Sequence, residues 1–364
     1  FMFMGLIGAT FASGISAAWL MIGWIGGDWL AWYFVHRRVR SESERLQVAS
    51  IPSFISGGES NDRPVAVLAG LITLVFLAIY ASAQLVAGGK ALYAVSGWPT
   101  ELGIVMGAVM VAAYCFAGGI RASIWTDVAQ SVVMLFAMLL VVWLAVTQLG
   151  GWSSMWTALA AIDNGDGAGL TELAPQGYPV GIAGYVLGWF GAGFGAVGQP
   201  HVMIRAMAVD SPDNVPKMRR IYVTWYLVFA AACIAVGLAA RVLLDGQISL
   251  TGAQAYDPEL ALLDLADTLQ LAPILIGLIL AGLFAATIST ADSQILSCSA
   301  AVTRDIIPGW GKSYMRVKTA TLGVAAFAMV AALFGGSVFS IVTLAWATLA
   351  AGLGPLMVLR AFRC

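Results

Sequence analysis

The stretch AGLFAATISTADSQILSCSAAVTRD, residues 281–305, decides how the rest of the chain folds. Its first residues are apolar enough to lie in a lipid bilayer, yet its middle carries hydroxyl, amide and carboxylate side chains. Polar groups at that depth are costly unless they pair with other groups inside the protein. The stretch therefore predicts a membrane helix whose polar middle faces the protein interior.

One face of this helix would carry a set of small and hydroxyl residues spaced three or four apart. They are Ala286, Ser289, Thr290 and Ser293. Hydroxyl and carbonyl oxygens are ligands that hard cations prefer. Small and hydroxyl residues also pack membrane helices together, so these residues alone leave both roles open. Asp292, beside them, favours an ion or proton pathway.

The composition indicates an integral membrane protein and no enzyme. Of the 364 residues, 60% are hydrophobic and 10% are charged, whereas soluble domains are about 45–50% apolar and about 25% charged. The net charge of −1 carries no information about a nucleic-acid partner, and we expect none. The sequence shows no nucleophile–base pairing, phosphate-binding loop or metal-ligand spacing, so we expect no catalytic residues and no enzymatic activity.

Ten hydrophobic segments are predicted to cross the membrane, because a spanning helix needs about 20 mostly apolar residues. The first of them is partial. The segments lie near 1–13, 15–35, 64–88, 101–119, 124–149, 179–200, 221–243, 271–303, 318–335 and 337–360. The chain starts without an initiator Met and stops directly after an apolar run, so we expect it to be truncated at both ends.

The distribution of basic residues predicts the orientation. With these spans, all 18 Lys and Arg residues except Lys90 and Arg241 fall on one side of the membrane. Loops rich in Lys and Arg remain in the cytoplasm. The loop 36–63 is therefore predicted to be cytoplasmic.

The span 179–200 is predicted to be broken near its end. Five glycines lie within residues 188–198, and Pro200 follows them. Inside a helix, glycine costs about 1 kcal/mol and proline about 3 kcal/mol relative to alanine. Broken helices in the middle of a membrane expose backbone groups that bind solutes and ions. The alternative is a small-residue face that packs against another helix.

Three carboxylates lie inside predicted spans and are functional candidates. They are Asp28, Asp127 and Asp292. Asp127 lies near the start of its span, where an interfacial position is the alternative, and the sequence offers no partner for Asp28. Tyr80 adds a hydroxyl in the middle of its span, although a buried Tyr can also serve packing alone.

Four stretches of the chain together resemble the sodium:solute symporter family. They are IYASAQLVAGGKAL at 79–92, AGGIRASIWTDVAQS at 117–131, GQPHVMIRAMAVDSPDNVPKMRRIYVTW at 198–225 and AATISTADSQILSCSAAVTRD at 285–305. The resemblance runs in order over essentially the whole chain. It implies an all-α integral membrane protein with the LeuT-type fold, a helix bundle of two inverted five-helix repeats. We expect a single transmembrane transporter domain, 1–364, with the first repeat in 1–149 and the second in 179–364.

The resemblance also implies where cations bind. The family's sodium site places Ala286, Ser289 and Thr290 against the first core helix, whose own ligands would precede Phe1. A second cation site, found in some members, corresponds to Asp127, Asp292 and Ser293. Asp292 stands where the family more usually has Ser, which would suit a second cation or a proton.

The implied solute-binding residues lie on three core helices. They are Gly5, Tyr80, Ala192, Ala196 and Gln199. Family members that transport proline carry Trp and Tyr at the positions of Ala192 and Ala196. The two alanines therefore predict a wider pocket and favour a solute bulkier than proline.

The predicted function is sodium-coupled symport of a small organic solute by alternating access, with an amino acid such as proline as the first candidate. The expected location is the plasma or inner membrane, as a multi-pass protein. The expected partners are Na⁺ as the coupling ion, the solute and the lipid bilayer, with no nucleic acid. Two alternatives stay open: a transporter-like solute-sensing domain of a signalling protein, and a symporter coupled to protons.

Overall fold

The computed structural model describes residues 1–58, 62–162, 169–175, 181–246, 248 and 256–363, apart from the side chains of 117–122. Almost all of these residues are helical, and no β-strand occurs in the described ranges. Eight helical segments within them are long and apolar enough to cross a membrane. The predicted all-α membrane architecture is confirmed.

The described residues up to 162 form seven α-helices. They are α1 (Ile7–Ser13), α2 (Ala18–Ala31), α3 (Arg37–Leu46), α4 (Ile51–Ser56), α5 (Arg63–Ser96), α6 (Thr100–Gln148) and α7 (Trp152–Ala161). Shorter turns complete the path from residue 2 to α3. These are the π-helical turns Met2–Leu6 and Trp32–His36 and the 3₁₀ turn Gly14–Ala17.

Seven more α-helices lie in the described residues from 181 onward. They are α8 (Gly181–Phe194), α9 (Pro200–Met207), α10 (Val215–Leu243), α11 (Ala261–Thr268), α12 (Pro273–Ala300), α13 (Tyr314–Ala332) and α14 (Val338–Ala361). A π-helical turn, Ala301–Ile306, extends α12. Four 3₁₀ turns complete this part, Gly195–Gly198, Pro212–Asn214, Pro258–Leu260 and Pro308–Lys312.

A glycine turn joins the first two predicted spans into one helical path. Gly14 ends α1 with φ of 67° and ψ of −150°, a left-handed conformation that glycine adopts readily. A Cβ atom at Gly14 would lie 2.1 Å from the carbonyl oxygen of Leu170. The bend therefore needs a residue without a side chain, both for its backbone angles and for space.

The loop predicted between 101–119 and 124–149 is wrong. Both predicted spans lie within α6, which is helical over 49 residues, more than twice the about 20 that one crossing needs. The connecting segment AGGIRAS contains no proline, so every residue keeps the backbone donor that a helix requires. α6 packs against α5, α10, α12 and α13.

α12 contains most of the stretch at 281–305 and lies at the centre of the helix bundle. It packs against α5, α6, α9 and α13. Asp292 and Gln294 are 1% and 0% exposed. The prediction that the polar middle of this helix faces the protein interior is confirmed.

α2 and α8 lie with their backbones in direct contact. A Cβ atom on Gly27 would lie 1.9 Å from the Phe190 carbonyl oxygen, and one on Gly193 would lie 1.9 Å from the Trp24 carbonyl oxygen. Small residues allow such an approach between membrane helices. The contact holds α8, and therefore the helix break that follows it, against α2.

A buried carboxylate joins three elements on the side predicted to be extracellular. Glu259 accepts hydrogen bonds from the Ser337 hydroxyl at 2.8 Å and from the backbone amides of Val338 at 3.0 Å and Phe339 at 2.8 Å, at the start of α14. Lys90 of α5 forms an ion pair with Glu259 at 2.6 Å. Glu259 thus caps α14 and ties it to α5, because a helix N-terminus favours negative charge.

The surroundings of Glu259 set its charge state. Burial by itself raises the pKa of this carboxyl, but hydrogen bonds from Lys90, Phe339 and Val338 outweigh burial and hold the pKa below its ordinary value. Glu259 is therefore ionised when it caps α14.

We expect Gly27→Ala to lower the free energy of unfolding by about 1–3 kcal/mol, the usual cost of overpacking. The new methyl group would meet the Phe190 backbone, which cannot rotate away. Gly26→Ala is the matched control, because its Cβ would lie 3.3 Å from the Phe190 ring, and a side chain can shift. Thermal unfolding of the full-length protein measures both variants. Equal unfolding temperatures would show that α2 and α8 do not pack this closely.

We expect Glu259→Gln to lower the free energy of unfolding by about 1–3 kcal/mol, since a neutral amide replaces a charged acceptor. Because the folded-state pKa is lowered, the stabilisation is fully present above the ordinary glutamate pKa of about 4.3. It is lost as the pH falls through the lowered value. Thermal unfolding across a pH series, with the exposed Glu101→Gln as control, measures the difference. A difference from wild type that persists unchanged in strong acid would contradict this account.

Candidate functional site

The three predicted sodium ligands lie on one turn of α12. The hydroxyl groups of Ser289 and Thr290 both donate to the Ala286 carbonyl oxygen, at 3.2 and 2.9 Å. A hydroxyl that donates its proton keeps two lone pairs for other partners. Both side chains are half-buried. The structure therefore brings together two hydroxyl oxygens whose lone pairs can coordinate a cation, which fits the chemistry of Na⁺.

The predicted second cation residues also come together, with a positive charge already between them. Arg205 of α9 pairs with Asp127 of α6, and the same guanidinium donates to Ser293 at 2.6 Å. Asp292 Oδ1 lies 2.9 Å from the Ser293 hydroxyl and 3.1 Å from the Ser123 hydroxyl. The sequence analysis gave Arg205 no role. In the structure, it links both sides of the candidate second site.

The predicted break in the span 179–200 is confirmed. α8 ends at Phe194, a 3₁₀ turn follows, and Gln199 is extended with φ of −95° and ψ of 107° before Pro200 starts α9. Two hydrogen bonds join the break to α14. Gln199 Nε2 donates to the Trp346 carbonyl oxygen at 2.9 Å, and Trp346 Nε1 donates to the Ala192 carbonyl oxygen at 2.7 Å.

Aromatic rings surround the break. The ring centroids of Trp24 and Trp346 are 4.8 Å apart, and Trp24 also stacks on Phe1 at 5.5 Å. Tyr80 contacts His201 edge to face, with 5.4 Å between the centroids, and lies 6.3 Å from the Trp346 ring. The break is therefore enclosed by rings from α2, α5 and α14.

The predicted solute residues are placed unequally in this region. A Cβ on Gly5 would contact the ring of Phe1, so Gly5 lies next to the aromatic rings around the break. Ala192 lines a largely apolar cavity of about 890 Å³ together with Trp24 and Trp346. Ala196 lies in the 3₁₀ turn and is 2% exposed. Since the helix ends between the two alanines, they do not share one helix face, and only Ala192 lines the cavity.

Two polar atoms at the break have no hydrogen-bond partner among the described residues. They are Gln199 Oε1 and His201 Nδ1. Buried polar atoms are almost always satisfied, so each exception calls for a ligand, a water molecule or a functional reason. Both residues lie next to the aromatic rings around the break, since Gln199 bonds to Trp346 and His201 contacts Tyr80.

A second cavity, of about 330 Å³, lies on the side predicted to be cytoplasmic. It reaches from Arg304 to His201, Arg205 and Ser293. His201 separates it from Tyr80, with which it is in ring contact. This cavity therefore connects the candidate second cation site with the region of the break.

Sequence reasoning missed several residues of this region. Trp24, Trp346 and His201 were not among the predicted site residues, and their signals, isolated rings in apolar segments, were weak. The partner of Asp28 was also missing. In the structure, the Tyr222 hydroxyl donates to Asp28 at 2.8 Å. The roles of all predicted site residues, and the limits of the two repeats at 1–149 and 179–364, stay predictions.

Comparison with curated proteins finds symporters, and the chain spans 71–75% of the length of the two described here. The chain is 31% identical to the sodium/proline symporter of Escherichia coli (strain K12), over 97% of this chain and 71% of that protein. It is 29% identical to the high-affinity proline transporter PutP of Bacillus subtilis (strain 168), over 99% of this chain and 75% of that protein.

Comparison with solved structures confirms the LeuT-type fold. A Na⁺-coupled sialic acid symporter in a substrate-bound outward-open state matches with a TM-score of 0.78 and 20% identity, over 99% of this chain and 75% of that one. The nucleobase-cation-symport-1 family transporter Mhp1 matches with a TM-score of 0.60 and 17% identity, over 98% of this chain and 73% of that one. At these identities, the likeness concerns the fold alone.

The family model described as "Sodium:solute symporter family" matches residues 1–363, and the chain belongs to this family.

Proposed function

We propose that this protein imports a small organic solute, an amino acid with proline as the first candidate, together with Na⁺ by alternating access. The observation that carries the proposal is the pair of hydroxyl oxygens on α12, Ser289 and Thr290, whose protons are already donated to Ala286. Their lone pairs suit a hard cation. The names of the proline-transporting relatives support the choice of solute.

The solute site is proposed at the helix break. An amino acid carries an ammonium group that donates hydrogen bonds and a carboxylate that accepts them. Gln199 Oε1 and His201 Nδ1 are polar atoms without a protein partner in the described residues. The rings of Trp24, Trp346 and Tyr80 offer apolar faces for the side chain of the solute.

Release is proposed through the cavity that reaches from Arg304 to His201. His201 lies between this cavity and Tyr80, so a shift of α9, which begins directly after the break, would connect the two regions. In transporters with broken helices, alternating access largely moves one bundle of helices against another around the site at the break.

We expect sodium-dependent uptake of labelled proline by the full-length protein in proteoliposomes. Ser289→Ala and Thr290→Ala should each raise the sodium concentration for half-maximal uptake about tenfold, the effect of losing roughly 1.4 kcal/mol of ion binding. Proline affinity at saturating sodium should change less. Ser299→Ala is the control, because this hydroxyl lies on the opposite face of α12 and contacts Thr321 at 2.9 Å.

Unchanged sodium dependence in both variants would refute the assignment of the sodium site. A competition panel of amino and organic acids against labelled proline tests the solute separately. A bulkier solute that competes better than proline would support the wider pocket predicted from Ala192 and would displace proline as the substrate.

We also propose that Arg205 supplies the positive charge of the second cation site. Its guanidinium pairs with Asp127 and donates to Ser293, so a mobile cation or a proton would have to replace it. Burying a charge is costly unless it is paired. A tethered arginine satisfies Asp127 in every step without a second ion.

This arrangement predicts that uptake depends on sodium hyperbolically, without cooperativity. Arg205→Gln removes the tethered charge, so the hyperbolic dependence of uptake on sodium should be lost. The variant should either take up no solute or show a cooperative dependence on sodium. The control variant is Arg304→Gln, because Arg304 lines the same cavity. Sodium titrations of initial uptake rates distinguish these outcomes. Cooperative sodium dependence in the wild type would contradict the proposed role.

A further inference from the structure

A cavity of about 810 Å³ lies away from the candidate site, on the side predicted to be cytoplasmic. We call it the arginine cavity. It is formed where α3, the start of α10 and the end of α14 meet. Four of its lining residues are Arg37, Arg38, Arg219 and Arg363, and its one lining carboxylate is Glu42. The cavity therefore carries a clear excess of positive charge.

Two of the four guanidiniums already have carboxylate partners. Arg37 forms an ion pair with Asp213 at 2.6 Å, and Arg363 forms one with Glu42 at 2.9 Å. In the part of the chain that the structure describes, Arg38 and Arg219 pair with no carboxylate. The uncompensated charge of the arginine cavity thus rests on these two residues.

Aromatic rings hold Arg38 and Arg219 in place. The Arg38 guanidinium lies 4.0 Å from the centroid of the Phe362 ring, and Arg219 lies 4.9 Å from the centroid of Tyr33. Cation–π contacts fix a guanidinium without using its hydrogen-bond donors. Arg38 donates to the Phe34 carbonyl oxygen at 2.6 Å, which leaves most of its five donors for another acceptor. The two arginines are therefore positioned for an anion.

The surroundings indicate that this anion has an apolar part. Tyr33, Phe34 and Phe362 line the cavity and are exposed. Ile22 and Trp29 of α2, the helix that precedes these residues in the chain, are exposed as well. Tyr and Trp concentrate at the membrane–water interface. Basic pockets between membrane helices on the cytoplasmic side bind anionic headgroups.

We propose that the arginine cavity binds one anionic phospholipid of the inner leaflet, with its phosphate between Arg38 and Arg219 and its acyl chains along α2. A free phosphate shares the headgroup chemistry, but the exposed apolar surface of α2 would gain nothing from it. The bidentate geometry of guanidinium suits phosphate oxygens.

The competing explanation is that these arginines belong to the general excess of basic residues on the cytoplasmic side. A charge-matched pair of variants separates the two explanations. Arg38→Gln with Arg219→Gln removes two charges inside the cavity. Arg220→Gln with Arg316→Gln removes two exposed charges outside it.

The experiment is native mass spectrometry of the delipidated full-length protein titrated with phosphatidylglycerol, phosphatidylcholine or inorganic phosphate. We expect one phosphatidylglycerol to bind at low concentration, with the other two probes failing at the same concentration. The cavity variant should bind phosphatidylglycerol roughly 30-fold more weakly, since each basic residue near an anionic lipid contributes about fivefold. The control variant should bind like the wild type.

Ser41→Trp provides a second test that keeps every charge. Ser41 is exposed and lines the arginine cavity, so an indole there would fill the lipid's place, and phosphatidylglycerol binding should fall similarly. Equal losses in the cavity and control variants would overturn the proposal in favour of general surface charge. Equal binding of phosphatidylcholine, or of inorganic phosphate, would overturn the assignment to an anionic lipid. Unchanged binding of phosphatidylglycerol by Ser41→Trp would also overturn this assignment.

Discussion

The hydrogen bonds between the helix break and α14 are the constraint on which the solute region depends. A broken helix in a membrane leaves backbone groups without helical partners, and lipid offers them none. Trp346 answers this need at the Ala192 carbonyl oxygen, to which its indole donates. The Trp346 carbonyl oxygen in turn accepts from the Gln199 side-chain amide, which ties the break to α14 a second time. The break can therefore remain open at the centre of the bundle, where its remaining polar atoms are available to a solute.

Local spacing was sufficient to predict the central helix and the break. The positions of Ala286, Ser289 and Thr290 follow from the helical period, and the break follows from glycines and Pro200, whose backbone preferences act within a few residues. The same local rules failed for α6, where the length of about 20 residues per span suggested a loop between 101–119 and 124–149. Gly118 and Gly119 lie at this place. Glycine weakens a helix but does not remove a hydrogen-bond donor as proline does, so the helix continues.

Local rules of this kind could not predict contacts between segments that are distant in the sequence. Arg205 and Asp127 are 78 residues apart, and Tyr222 and Asp28 are 194 apart. Nothing in the neighbourhood of either carboxylate predicts its partner. Their pairing depends on how the helices are arranged in space, and the family resemblance supplied that arrangement only at the level of the fold. The candidate site was thus predictable as a set of candidate ligands on α12, but not as a cluster in which Arg205 joins Asp127 to Ser293.

The backbone contact between α2 and α8 has a mechanical consequence. Helices that slide past each other do so by exchanging side-chain packing, as in shear motions. Gly27 and Gly193 leave no side chains to exchange where each meets the other helix's carbonyl oxygen. α2 and α8 would therefore travel as a single body during transport. Gly198 meets α14 in the same way, because a Cβ there would lie 2.7 Å from the Leu349 carbonyl oxygen. Movement would therefore fall beyond the Gly195–Gly198 turn, in α9.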